Sequence, residues 1–116
     1  MNRTAILAIS LTLTAAAAGA QTTAAPAPER TAQLVRMVRQ DCGSCHGMQL
    51  TGGLGPALTR EALVAKPPEY LAAVITHGIP GTPMPPWNAL LTQGEAQWIA
   101  QQLANGFPEE TRKQSR

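Results

Sequence analysis

Aromatic side chains are scarce in this 116-residue chain, which has two tryptophans, one tyrosine and one phenylalanine. They are Trp87, Trp98, Tyr70 and Phe107. A domain of this size needs large apolar side chains to bury enough surface for stability, and this chain offers few. We therefore expect an apolar cofactor to supply part of the core.

Charged residues are also few, at 14% of the chain, and they are scattered along it. Nine lysines and arginines stand against seven aspartates and glutamates, a formal net charge of +2. Nucleic-acid-binding proteins cluster their basic residues on one element, whereas here the only grouping is in the C-terminal tail. The composition therefore predicts no nucleic-acid partner, and the length allows one domain only.

The N-terminus has the features of a secretory signal peptide. Arg3 provides a positive start, residues 5–18 form an apolar run, and Ala18-Gly19-Ala20 is a small-residue cleavage site. The run is shorter than the roughly 20 apolar residues that a membrane-spanning helix needs, so we expect cleavage rather than an uncleaved anchor. The predicted organisation is a signal peptide at 1–20, a flexible leader at 21–30, one domain at 31–107 and a polar tail at 108–116.

Hydrophobic periodicity predicts an all-α fold with about four helices and long loops. Thr31 is expected to cap a first helix that runs to about residue 40. A short helix is expected at 59–65. No stretch shows sustained two-residue alternation, so no strand is predicted. The apolar face of the first helix is predicted to be Leu34, Val35 and Val38.

Two further helices are predicted in the second half of the chain. Pro68 suits the first turn of a helix over 68–77, and Gly78 suits its end. The sequence Thr92-Gln93-Gly94-Glu95 matches a capping box that opens the last helix, which Asn105-Gly106 ends. The predicted apolar stripes are Leu71, Val74 and Ile75 in one helix and Ala96, Ile99 and Leu103 in the other.

The strongest signal is the pattern C-x-x-C-H formed by Cys42, Cys45 and His46. This pattern is typical of c-type haem attachment, because two thiols at this spacing can add to the two vinyl groups of one porphyrin while the adjacent histidine reaches the iron. A thioredoxin-like pair would need a βαβ pattern, and a structural zinc would need four ligands. We predict one covalent haem c with His46 as an iron ligand. A disulfide between the two cysteines is the remaining alternative.

The second axial ligand of the iron has two candidates. Met84 follows His46 by 38 residues and lies in a loop, 79–87, that four prolines make rigid. His77 ends the preceding helix and would give a bis-histidine haem, unless it is only a helix-end histidine near the C-terminal dipole. Met37 lies in the helix just before the motif, on the proximal side, and is expected to be a packing residue, whereas Met48 is too close to His46 in sequence to reach the opposite face. Because Met/His is a common pair in cytochromes c, we prefer Met84.

From His46 to Leu103 the chain resembles the class I cytochromes c. The resemblance rests on the C-x-x-C-H motif, the segment 55–58 (GPAL), the loop around Met84 and the last helix. It implies a small cytochrome c domain wrapped around one covalent haem. It also implies that the Pro56 carbonyl accepts a hydrogen bond from the His46 ring and that Leu58 packs against the proximal side of the haem. Gln102 departs from the class pattern, which usually has an aromatic residue near the end of the last helix.

Several stretches resemble, more specifically, the small periplasmic NirC-type cytochromes, which are encoded beside the haem-cd nitrite reductase of denitrifying bacteria. They are 41–48 (DCGSCHGM), 52–58 (GGLGPAL), 77–78 (HG) and 80–87 (PGTPMPPW). The resemblance implies a periplasmic carrier that delivers electrons to this reductase, or a factor that serves maturation of the reductase's special haem.

The two predicted axial ligands decide what chemistry is expected. If His46 and Met84 fill both axial positions, no position is open for a substrate, so we expect an electron carrier and not an enzyme. We expect the protein to be a monomer that is not stably inserted in a membrane and whose partners are redox proteins. A small haem enzyme or gas sensor with a labile distal ligand is the third hypothesis.

Overall fold

The computed structural model describes residues 24–110, which form helices and loops without a strand. The predicted signal peptide and residues 111–116 of the predicted tail lie outside the described residues. The elements are α1 (Pro28–Met37), a π-helical turn (Val38–Cys42), α2 (Gly43–His46), α3 (Arg60–Leu63), α4 (Pro68–His77) and α5 (Gln93–Asn105). The first three are continuous, so the prediction of an all-α fold with about four helices is confirmed. Between residues 24 and 110, no helix is long and apolar enough to cross a membrane.

The first helix begins earlier than predicted. Pro28 occupies its first turn, where a missing N–H costs nothing, and Ala27 is the N-terminal cap. The prediction that Thr31 caps this helix is therefore wrong. The Thr31 hydroxyl instead donates to the carbonyl of Pro26 at 3.0 Å. As a result, the last three residues of the predicted leader belong to α1.

The predicted end of the first helix near residue 40 is also wrong. At Val38 the chain passes into a π turn, whose hydrogen bonds span five residues instead of four, and from there directly into α2. The helical path therefore continues to His46. One unbroken helical run, 28–46, consequently places all three residues of the C-x-x-C-H motif.

The core lies between this helical run and the helices of the second half of the chain. All three residues of the predicted face of the first helix are buried, as are the three predicted for α5. In α4, Leu71 is buried as predicted, but Val74 and Ile75 are only half buried and Ala72 is buried with Leu71. The other buried core residues are Leu50, Leu63, Leu91, Trp98 and Ala100.

The predicted capping box is present at the start of α5. Thr92 Oγ1 accepts from the N–H of Glu95 at 3.2 Å, and Glu95 Oε2 accepts from the N–H of Thr92 at 2.9 Å. The same carboxylate accepts two hydrogen bonds from Arg30 of α1, from Nε at 2.6 Å and from Nη2 at 3.1 Å. The Arg30 hydrogen bond, followed by that of the Thr92 backbone, lowers the pKa of Glu95 to about 2. A bidentate ion pair thus joins the starts of the first and last helices.

The end of α5 is held against the π turn by Arg39. This buried side chain donates to the carbonyl oxygens of Phe107 at 2.9 Å and Pro108 at 3.0 Å. Its guanidinium carbon lies 5.6 Å from the centroid of the Phe107 ring, within the range of a cation–π contact. The Phe107 ring also meets Trp98 edge-on, with centroids 6.5 Å apart. Phe107 therefore supplies an aromatic contact just beyond the helix that carries Gln102.

The Glu95 ion pair predicts a specific pH dependence of stability. Because the folded state depresses the pKa of Glu95, its contribution is complete above the unfolded value near 4.5 and disappears as the pH falls towards 2. Glu95→Gln keeps the capping geometry but removes the charge. We expect this variant to lose about 1 kcal/mol of unfolding free energy at pH 7, within the range of exposed ion pairs, as measured by chemical denaturation.

The difference between parent and variant should shrink as the pH falls from 4.5 towards 2. Glu69→Gln is the matched control, because it removes an exposed first-turn charge from α4. A penalty for Glu95→Gln that is the same at pH 7 and pH 2.5 would show that the ion pair does not stabilise the fold.

Candidate haem site

The two thiols of the motif lie at the end of the helical run 28–46. Cys42 closes the π turn and Cys45 lies in α2, and both are free and half buried. Burial, and then the carboxylate of Asp41, raises the pKa of the Cys42 thiol to about 11. Redox-active cysteine pairs depend on a thiol whose pKa is lowered. The raised pKa of Cys42 therefore argues against a thioredoxin-like pair.

The ring of His46 is oriented by a hydrogen bond to the following loop. Its Nδ1 lies 2.7 Å from the carbonyl oxygen of Pro56. Since a carbonyl oxygen can only accept, Nδ1 carries the proton and Nε2 keeps its lone pair. Nε2 is therefore the nitrogen that can bind a metal, and the carbonyl holds the ring in one direction. The contact implied by the resemblance is present, while the roles of Pro56 and Leu58 towards a haem stay predictions.

Loop 47–58 reaches the ring because it folds back onto the end of α2. Gly47, at φ 89°, ends the helix and turns the chain. The N–H groups of Gly52 and Gly55 then donate to the carbonyls of His46 and Cys45, both at 2.8 Å, so two of the free carbonyls at the helix end are satisfied. A Cβ at position 55 would lie 2.7 Å from His46 Cε1. The loop can therefore approach the imidazole this closely only with glycine at that position.

Leu58 ends the loop and anchors it to the core. Its side chain is half buried and packs against the hydrophobic cluster, and its N–H donates to the carbonyl of Leu50 at 2.8 Å. Leu50 is buried although its φ of 59° lies in the left-handed region, which a leucine rarely adopts. This arrangement places the segment of Gly55 and Pro56 beside His46.

The two candidates for the second axial ligand lie at the far end of α4. His77 is the last residue of the helix and is exposed, whereas Met84 is half buried in the loop that leads to α5. The N–H of Ile79 donates to the carbonyl of Met84 at 3.2 Å, so the loop folds back towards the helix end. Which of the two side chains binds the iron stays a prediction.

Two features near the site were not predicted from the sequence. One is the close approach of Gly78 to the Met84 segment, since Gly78 was interpreted only as a helix stop. The other is Arg39, which holds the C-terminal segment beside the helical run. Arg39 follows Val35 by four residues and thus lies on the buried face of the first helix. A charged residue at a buried position is the signal that identifies it.

These features define a c-type cytochrome. Two free thiols precede a histidine whose Nδ1 is held by a carbonyl and whose Nε2 can bind a metal, in a small all-α domain. This class agrees with the comparison to protein families, in which residues 29–102 match the family described as cytochrome c oxidase, cbb3-type, subunit III. The chain therefore belongs to the cytochrome c family.

Two known proteins are similar over most of the domain. Cytochrome c55X of Stutzerimonas stutzeri is 58% identical over 85 residues, which are 73% of this chain and 75% of that protein. The solved structure of the c-type cytochrome NirC is 55% identical with a TM-score of 0.68, and the match covers 69% of this chain and 94% of that one. These similarities confirm the resemblance to the NirC-type cytochromes.

A larger protein contains a related region. The structure of dihydro-heme d1 dehydrogenase NirN in complex with DHE is 34% identical to this chain with a TM-score of 0.58. The match covers 66% of this chain but only 17% of the dehydrogenase. The similarity thus concerns a small part of that enzyme, and the rest of it has no counterpart in the match.

As a member of this family, the chain carries covalently bound haem c and transfers electrons. The residues present fit this cofactor. The thiols of Cys42 and Cys45 suit the two vinyl groups, and His46 Nε2 is a basic nitrogen whose tautomer is fixed by Pro56.

The attachment can be tested on the two cysteines. The Cys42→Ala, Cys45→Ala double variant should lose nearly all haem on acid-acetone extraction, because no thioether can form. It should also lose much of its helical circular-dichroism signal, since the haem supplies part of the core. Ser44→Ala, a change between the two thiols, is the control and should keep its haem. A double variant that folds normally without haem would contradict the proposed contribution of the cofactor to the core.

Proposed function

We propose that this protein is a periplasmic one-electron carrier that serves a haem-cd nitrite reductase, with its haem held by Cys42, Cys45, His46 and Met84. The observation that carries the site is the 2.7 Å hydrogen bond from His46 Nδ1 to Pro56, which leaves Nε2 for the iron. The similarity to NirC and to cytochrome c55X supports the choice of reductase system. The apolar run and the Ala18-Gly19-Ala20 site support export.

The residues of the chain determine how the cofactor is used. When bound, the haem supplies the exchange of one electron between Fe(III) and Fe(II). His46 and Met84 would hold the iron, so no coordination position would be left for a substrate. The thioether of Met84 favours the reduced state and so raises the reduction potential. Pro56 keeps the imidazole in one orientation through its carbonyl.

A second candidate function is favoured by the match to dihydro-heme d1 dehydrogenase. A dehydrogenase removes two hydrogen atoms, that is, two electrons and two protons, from its substrate. A single haem accepts one electron, so two oxidised cytochromes would be needed for each double bond formed, with both protons released to water. In this role the chain would serve maturation of the reductase's special haem, and electrons would flow into the cytochrome.

The axial ligand can be tested by two alanine variants. Met84→Ala should abolish the weak near-infrared sulfur-to-iron charge-transfer band of the ferric protein and open the reduced iron to carbon monoxide. It should also lower the potential by on the order of 0.1 V, a modest part of the range of about 0.8 V that axial ligands set. His77→Ala is the matched control and should leave the band intact, with at most about 1 kcal/mol lost at the helix end.

The opposite pattern is easy to recognise. If the parent protein lacks the band, and His77→Ala rather than Met84→Ala opens the iron, the protein is a bis-histidine cytochrome of lower potential.

The partner can be tested by stopped-flow mixing. The reduced protein should be oxidised rapidly by mature haem-cd nitrite reductase. Because the formal net charge is only +2, electrostatic steering is weak and the rate should fall only gently as the salt concentration rises. In the second arm of the experiment, the oxidised protein is mixed with the dehydrogenase and its dihydro-heme d1 substrate. Reduction in this arm, without oxidation in the first, would favour the maturation role.

A further inference from the structure

We propose that Gly78 and Thr82 position Met84. Gly78 allows the backbone of Met84 to lie directly against the end of α4, and the Thr82 hydroxyl joins the backbone of Met84 to that of Ile79. This inference rests on the proposed function, in which Met84 is the second axial ligand. Neither residue touches the iron in this proposal, so both act through Met84.

The first observation is the closeness of the Met84 segment to Gly78. A Cβ built on Gly78 would lie 2.7 Å from the carbonyl oxygen of Met84, 2.7 Å from the carbonyl carbon of Pro85 and 2.8 Å from the nitrogen of Pro86. All three are backbone atoms, so no side-chain rotation can relieve the overlap. The prolines also restrict how the backbone can bend away. Any side chain at position 78 must therefore displace the segment that contains Met84.

The second observation is a set of hydrogen bonds that closes the loop between α4 and Met84. The Thr82 hydroxyl donates to the carbonyl of Ile79 at 2.7 Å, and the N–H of Met84 donates to Thr82 Oγ1 at 3.3 Å. The N–H of Ile79 donates to the carbonyl of Met84 at 3.2 Å. Both backbone polar groups of Met84 are thus bound within the loop, one directly to Ile79 and one through the hydroxyl of Thr82.

The loop around Met84 is therefore held in place by α4, a helix that is anchored in the core. Gly78 directly follows α4, whose Leu71 and Ala72 are buried in the core. Beyond Met84, the N–H of Trp87 donates to the carbonyl of Ile75, also in α4, at 3.0 Å. The loop is attached to the same helix on both sides of the methionine, so the helix end sets where the sulfur is presented.

A matched pair of glycine variants isolates the close approach. Gly78 and Gly81 both have positive φ, 66° and 76°, so alanine is strained at either position. A Cβ on Gly81, however, meets no atom within 4 Å. Gly78→Ala and Gly81→Ala therefore both place an alanine at positive φ, and only Gly78→Ala also places a Cβ against the Met84 segment.

The variants are compared as ferric holoproteins, by the sulfur-to-iron charge-transfer band and by titration with imidazole. Imidazole can bind the iron only when Met84 is displaced, so its apparent affinity increases with the fraction of displaced protein. Gly78→Ala should lose most of the band and bind imidazole at least about tenfold more tightly than the parent. Gly81→Ala should keep the band and stay within about twofold of the parent. Equal affinities in the two glycine variants would overturn the proposal for Gly78.

Substitutions of Thr82 provide the second test, which decides the role of the hydroxyl whether or not Gly78→Ala yields holoprotein. Thr82→Val removes the hydroxyl at nearly constant shape and should bind imidazole more tightly than the parent, whereas Thr82→Ser should restore parent behaviour. A Thr82→Val variant indistinguishable from the parent would overturn the role of the hydroxyl. A parent protein without the band would instead show that Met84 is not the ligand, in which case the proposed function fails at this residue and the inference with it.

Discussion

The hydrogen bond between His46 and the carbonyl of Pro56 depends on the structure of most of the first half of the domain. It requires the helical run 28–46 to end at Gly47, and it requires the loop to return along the free carbonyls of the last helical turn. It also requires that position 55 has no side chain. The chain itself thereby fixes the tautomer and the direction of the imidazole in the folded protein.

The other side of the proposed site uses a different physical device. The histidine is held by a hydrogen bond at a helix end, whereas the methionine segment combines hydrogen bonds within its loop with close backbone contact beside Gly78. Prolines suit the second device, because a segment without free N–H groups and with restricted φ needs no ladder to keep its shape. In the proposed carrier, the protein thus holds both ligand segments through its own contacts, and groups held in this way need little rearrangement when the charge of the iron changes.

The features that could be predicted from the sequence are those with local signals. Pro68 and Gly78 mark the two ends of α4, and the capping box of Thr92 and Glu95 marks the start of α5. The C-x-x-C-H motif is equally local, because its chemistry lies within five consecutive residues. The predicted start of α1 is wrong because the sequence offers two competing signals. Threonine is a favoured N-cap residue, which suggests Thr31, but proline is favoured in the first helical turn, and the helix begins at Pro28. The contacts of Arg30 and Arg39 could not be predicted, since their partners are 65 to 70 residues away in the chain.

Those two arginine contacts have a consequence for the order of folding. They join the first helical run to the beginning and to the far side of α5, so the run finds its partners only in the last part of the chain. Closing such long loops is slow compared with forming a helix, because the entropy of the intervening chain must be overcome first. During synthesis from the N-terminus, the helical run with Cys42 and Cys45 therefore emerges well before the residues that Arg30 and Arg39 contact.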